Sequence, residues 1–139
     1  MLCLLYQKDP SDVLLLQETR LVEGSIPAQV RRAYHLGWSA SFSIAKHTLA
    51  NSTSSGCGVL CRRGWNQVSL TDSLVDDWLS HRICVTKVGG VLYGGLICFS
   101  VYLKHGEQGA GPINRVVLDH LEHQLEMCRG PWCIGGTST

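Results

Sequence analysis

The chain has 139 residues, 45% of them hydrophobic and 17% charged, with a formal net charge of +1. This balance excludes a disordered or strongly basic chain and predicts an ordinary soluble domain, a single one at this length. The near-neutral charge argues against broad electrostatic capture of nucleic acid, since the scatter of Arg62, Arg63 and Arg82 is no concentrated basic face. No apolar run reaches the roughly 18 residues a membrane span needs. Residues 1–6 are too short and lack the basic leader of a signal peptide, so the expectation is an intracellular protein without membrane contact.

In chain order, residues 2–8 read as the end of a helix closed at Asp9-Pro10, because the residue before proline leaves the helical region. Residues 13–16 are a continuous apolar run, predicted as a strand buried on both faces. It switches abruptly to Gln17, Glu18, Thr19 and Arg20, which delivers an amide, a carboxylate, a hydroxyl and a guanidinium together at the strand's C-terminal end, where layered α/β proteins build sites. Read alone, Glu18 is a solvated acid leaving a strand. Residues 26–36 place Ile26, Val30, Ala33 and Tyr34 at helical spacing, with Gly37 as terminator. Residues 38–44 alternate large and small side chains as a strand does, and 46–55 form a polar loop.

Residues 58–62 are the next strand, while 66–79 show too weak a period to assign. Residues 81–88 and 91–103 are predicted as a hairpin around Gly89-Gly90. Its second arm is apolar on both faces, the mark of a central strand. A glycine-rich connection follows over 104–111, without the spacing of a phosphate loop or a dinucleotide fingerprint. Pro112 then opens a helix whose stripe runs through Val117 or Leu118, Leu121, Leu125 and Cys128. Residues 132–134 are a last short strand, expected to be buried. The short apolar runs at 13–17, 58–62, 82–88, 91–103 and 132–134 are expected to share one sheet, and the whole reads as α/β.

The seven cysteines are an odd number without paired spacing, which suits small buried thiols better than a disulfide framework. Cys57 and Cys61 would stand about 13 Å apart on one strand, too far to share a tetrahedral zinc. His120 and His123 are neighbours on a helix face, but among Glu122, Gln124 and Glu126 they read as a solvated surface.

The stretch DVLLLQETRL over 12–21 resembles the first motif of the endonuclease/exonuclease/phosphatase superfamily, the metal-dependent phosphodiesterases that include abasic-site, DNase I-like and retroelement endonucleases. Three more segments fall in that family's order. SGCGVLCRR over 55–63 is similar to its glycine-led strand, ICFSVYL over 97–103 to the strand bearing its catalytic tyrosine, and PWCIGG over 131–136 to the strand leading into its Gly-Asp-x-Asn motif. The resemblance implies a four-layered α/β sandwich, with two β-sheets face to face and helices outside. It implies Glu18 as the ligand of Mg²⁺, with Mn²⁺ a substitute, and Tyr102 as the catalytic tyrosine beside the scissile phosphate. Tyr102 taken alone is also a strand tyrosine filling a core. Arg115 corresponds loosely to a family arginine at the substrate and reads equally as a solvated helix charge. By resemblance the partner is nucleic acid.

The departures matter as much. Ser100 stands where the family has asparagine, Thr137 where it has its second aspartate, and Thr139 where it has the next asparagine. The family's first strand and the half carrying its later aspartate and histidine have no counterpart, so residues 1–139 read as a partial domain of this type. Two functions are expected to compete: a fragment or degenerate copy of a phosphodiesterase, inactive as this chain, or a non-catalytic binding remnant. In either case the missing half would leave a sheet face uncovered, through which the chain would self-associate.

Overall fold

The computed structural model describes residues 12–49, 52–90, 92–104 and 111–137. The helix end expected over 2–8, Val91 and most of the 104–111 connection lie outside them. The elements are β1 (Val13–Gln17), α1 (Ile26–His35), β2 (Trp38–Phe42), β3 (Lys46–His47), β4 (Thr53–Ser54), β5 (Cys57–Arg62), β6 (Gln67–Ser69), α2 (Thr71–Leu74), β7 (Ile83–Val88), β8 (Leu96–Tyr102), α3 (Pro112–Met127) and β9 (Trp132–Thr137).

The five apolar runs do not share one sheet. β1, β5 and β2 form a three-stranded antiparallel sheet with β5 in the centre, and β6, β7, β8 and β9 form a second, four-stranded one. The apolar runs report burial, whereas membership of a sheet is decided by which backbone edges meet, and composition does not encode that. The second sheet is antiparallel from β6 to β8, and β9 joins β8 in parallel after the α3 crossover. β8 therefore is the central strand its two apolar faces predicted.

The layers follow from the period-2 alternation of each strand. Cys57, Val59 and Cys61 of β5 meet Cys84, Val88, Cys98 and Tyr102 between the sheets, with Val13, Leu15 and Cys133 packed beside them. The alternate residues face outward. Leu60 packs with Trp38 and Ala33 under α1, and Val85, Phe99 and Val101 pack with Val117 and Leu121 under α3. The order is α1, sheet, sheet, α3: the four-layered α/β sandwich. Cysteines serve as small apolar side chains where the two sheets approach, as expected of buried thiols.

α1 ends as predicted at Gly37, whose φ of +96° is the left-handed conformation that closes a helix, with its N–H donating to Tyr34 O. α3 starts with Pro112 in its first turn.

Other expectations change. β1 offers apolar side chains to both faces, but it is an edge strand and its residues are half-buried. The ladder between β7 and β8 ends at Val88↔Leu96, so Gly89, Gly90 and residues 92–95 lie outside it and the connection is not a two-residue turn. Gly94 and Gly95 explain this, since φ values of +84° and +91° cannot continue a strand. β3 and β4 pair as a small ladder inside the expected loop. The sheet faces are covered by each other and by α1 and α3, and what stays open is the α3 side of β9. There Trp132 and Ile134 are 47% and 41% exposed, so β9 is a partly exposed strand and not a buried one.

Candidate active site at the C-terminal ends of the strands

Ser100 ties the two sheets together at the end where β1 and β8 finish. Its buried hydroxyl donates to Leu16 O at 2.7 Å and accepts from Gln17 Nε2 at 2.9 Å. Gln17 precedes Glu18, and Ser100 lies two residues before Tyr102. The tie therefore sets the first motif's polar cluster against the end of the tyrosine strand.

Past Gln17 the chain keeps pairing with the approach to β5, through Thr19 N–H to Gly56 O and Arg20 N–H to Ser55 O. It does so in an unusual conformation. Glu18, Arg20 and Ser55 have φ values of +55°, +57° and +62°. Left-handed backbone costs non-glycine residues of order 1 kcal/mol or more each and gathers at functional sites. Glu18 and Arg20 are left facing each other, Arg20 Nη2 to Glu18 Oε1 at 2.7 Å. The pair is exposed, with side-chain accessibilities of 36% for Glu18 and 60% for Arg20. The hydrogen bond and charge of Glu18 hold the Arg20 guanidinium above its ordinary pKa.

Tyr102 packs into the core between the sheets, beside Cys57 and Cys84, and it also borders cations. The Arg82 guanidinium lies 5.6 Å from the tyrosine ring centroid and its Nη1 donates to Tyr102 O at 3.4 Å, while Arg20 is close enough to interact with Tyr102 electrostatically. Across the parallel ladder Tyr102 is in register with Thr137. His81, next to Arg82, is half-buried, and desolvation, Arg82 and Lys46 together push its pKa down to about 4. His81 and Arg82 line a groove of about 660 Å³ with Lys46, His47, Trp78 and Ile113. Arg115 is exposed on the first turns of α3, its N–H donating to Gly111 O.

A second groove of about 670 Å³ lies between α3 and β9, lined by Leu118, Leu121, Leu125 and Ile134 with Glu122 and Glu126. Its walls are mostly apolar. The polar groups lie elsewhere: the Glu18–Arg20 pair and the Arg82–Tyr102 contact are at the strand ends, with His81 next to Arg82.

A family model for the endonuclease/exonuclease/phosphatase family matches residues 4–132. The chain belongs to this family. A stretch of 81 residues is also 36% identical to the cytoplasmic methionine–tRNA ligase of Mus musculus, covering 58% of this chain and 8% of that protein. The chain thus spans a small part of the length of the curated relative it matches. No solved structure matches it.

The family consists of nuclease- and phosphatase-type hydrolases that generally depend on a divalent metal. The donors described here do not fit such an ion unaided. Mg²⁺ wants oxygen ligands in octahedral geometry. The strand ends offer the Glu18 carboxylate, already engaged by Arg20, and among the described residues no three His, Cys, Asp or Glu side chains gather to hold a metal. Also among them, no helix is long and apolar enough to cross a membrane.

Sequence reasoning reached Glu18 and Tyr102 through the motifs, and the fold brings their strand ends together. It did not single out Arg20 as the partner of Glu18, nor Arg82, with His81 next to it in the chain, as a neighbour of Tyr102. Arg20 stood in the motif, but only the left-handed backbone turns it onto Glu18. His81 and Arg82 precede β7 without any periodic signal.

Proposed function

We propose that the chain is a partial or degenerate copy of a divalent-metal-dependent phosphodiesterase of endonuclease type, and that these 139 residues by themselves do not hydrolyse phosphodiesters. The observation that carries this reading is the state of the two acidic positions. Glu18, the expected Mg²⁺ or Mn²⁺ ligand, is held by Arg20, and Thr137, beside Tyr102, stands where the family carries aspartate. Phosphodiester cleavage needs charge stabilisation on the phosphoryl oxygens and a base to activate water. Arg20 and Arg82 offer positive charge, and Tyr102 a phenol, so a nucleic acid phosphate can be met here. His81, neutral near pH 7, packs on the groove side, and general acid–base catalysis alone is usually worth only about 10² to 10⁴ in rate. In this reading Arg115 is a peripheral substrate contact at most. The short stretch shared with the methionine–tRNA ligase supports no ligase chemistry.

Incubation with supercoiled plasmid and abasic-site DNA in Mg²⁺ or Mn²⁺ tests the proposal. No nicking above buffer is expected, and Thr137→Asp alone restores none, because losses acting on one transition state are coupled. Nicking that vanishes in Glu18→Ala would overturn it.

The second reading, a non-catalytic interaction module, is favoured by one feature. Trp132 and Ile134 of β9 and Leu118 of α3 (44% exposed) together leave apolar surface beside the groove between those elements. Contiguous apolar surface of this kind marks interfaces. Sedimentation that shifts to heavier species with concentration supports self-association through it, and a concentration-independent monomer opposes it.

A further inference from the structure

Cys98 and Cys133 are registered partners across the parallel β8–β9 ladder, and both turn toward the space between the sheets. Their Sγ atoms stand 3.5 Å apart. Both are free thiols. Cys61 and Cys84 point to oxygen atoms, Gln67 Oε1 and Ser41 O, and Cys98 also lies 3.9 Å from Leu96 O, but the Cys98–Cys133 contact is sulfur to sulfur. A disulfide has its sulfurs about 2.05 Å apart and its Cα atoms roughly 4.4–6.8 Å apart. Neighbouring strands, at about 4.8 Å, already satisfy the second requirement, and the first asks the sulfurs to close by about 1.5 Å. β9 can supply that movement, because among the described residues it pairs with β8 alone.

We propose that Cys98 and Cys133 form a reversible cross-strand disulfide, a modification site whose oxidant is hydrogen peroxide. The two thiols are not equivalent. Cys98 is fully buried, and burial together with Cys133 pushes its thiol up to about 12, whereas Cys133 is half-buried on the outermost strand. Cys133 is thus the thiol that peroxide reaches first. Its sulfur attacks the peroxide oxygen, forming sulfenic acid and releasing one water. The Cys98 sulfur then displaces the sulfenic oxygen as a second water, forming the S–S bond. The protein loses two electrons and two protons, and the peroxide takes them up. A dithiol reverses the step by exchange. The bond would fasten β9 to β8 four residues before Thr137 meets Tyr102.

The folded protein, treated with peroxide, alkylated and digested without reductant, provides the test. The expected result is a peptide joining Cys98 to Cys133, lighter by two hydrogens than its two parts and split by dithiothreitol, together with a raised melting temperature that Cys133→Ser no longer shows. Cys133→Ala, at the half-exposed position, provides a second control should the serine variant fail to fold. Recovery of both cysteines in alkylated form after oxidation would overturn the proposal, as would Cys133 found as sulfinic acid or linked to another chain.

Discussion

Arg20 donates through Nη2 to Glu18 Oε1 across 2.7 Å, from a backbone that holds both residues at positive φ. An exposed pair two residues apart on a regular strand would be unremarkable and of small energetic value. Here the left-handed turns at the end of β1 present Glu18, the proposed metal ligand, to a guanidinium. The same turns place Arg20 where it also interacts with Tyr102.

Ser100→Ala should destabilise the fold by about 1–3 kcal/mol, since it leaves the Gln17 amide and Leu16 carbonyl short of a partner in a part-buried setting. Urea denaturation followed by tryptophan fluorescence measures it. An unchanged midpoint would mean that the hydroxyl does not join the sheets.

Gly56→Ala should cost about 1–3 kcal/mol. Gly56 has a φ of +85°, and an added Cβ would lie 2.6 Å from Thr19 Oγ1 and 3.2 Å from Arg20 N. The substitution strains the segment that positions Glu18, and thermal melting reads the loss. Gly24→Ala, where a Cβ meets nothing within 4 Å, is the matched control and should be near neutral.

His81 gives the fold a pH dependence of definite sign. Its pKa is about 4 when folded against an ordinary value of 6.5, so between these limits the unfolded chain binds more protons. Its contribution is therefore fully present above about pH 6.5 and is lost as pH falls toward 4. After allowance for the half-exposed ring it amounts to on the order of 1–2 kcal/mol. Denaturation midpoints of wild type and His81→Asn at pH 7 and pH 5 isolate it: the wild type should lose more stability than the variant on acidification.

The sequence carried the elements better than their arrangement. β1, β5, β7 and β8 are legible because their residues are apolar over whole turns of the pleat, and α3 because Val117, Leu121 and Leu125 recur at helical spacing. Assignment to two sheets was not legible, because pairing edges leave no mark in composition, and the four-layered order came from the family motifs. That the ladder stops at Val88 and resumes only at Leu96 was missed because Gly89-Gly90 is the stronger local turn signal, while the positive φ values of Gly94 and Gly95 are known only from the fold. At the site, Glu18 and Tyr102 were legible as motif positions, whereas Arg82 reaches Tyr102 through pairing between the start of β7 and the end of β8, where Tyr102 N–H donates to Arg82 O.

The central claim is that Arg20 occupies the carboxylate that would anchor a divalent cation, and Mn²⁺ titration followed by the paramagnetic signal of the free ion tests it most directly. Wild type should bind Mn²⁺ weakly. Arg20→Ala should bind it roughly two- to five-fold more tightly, the range an exposed ion pair can withhold, with the melting temperature essentially unchanged. The double variant Glu18→Ala, Arg20→Ala should lose that gain. Equal affinity in wild type and Arg20→Ala, or a gain that persists without Glu18, would contradict the account.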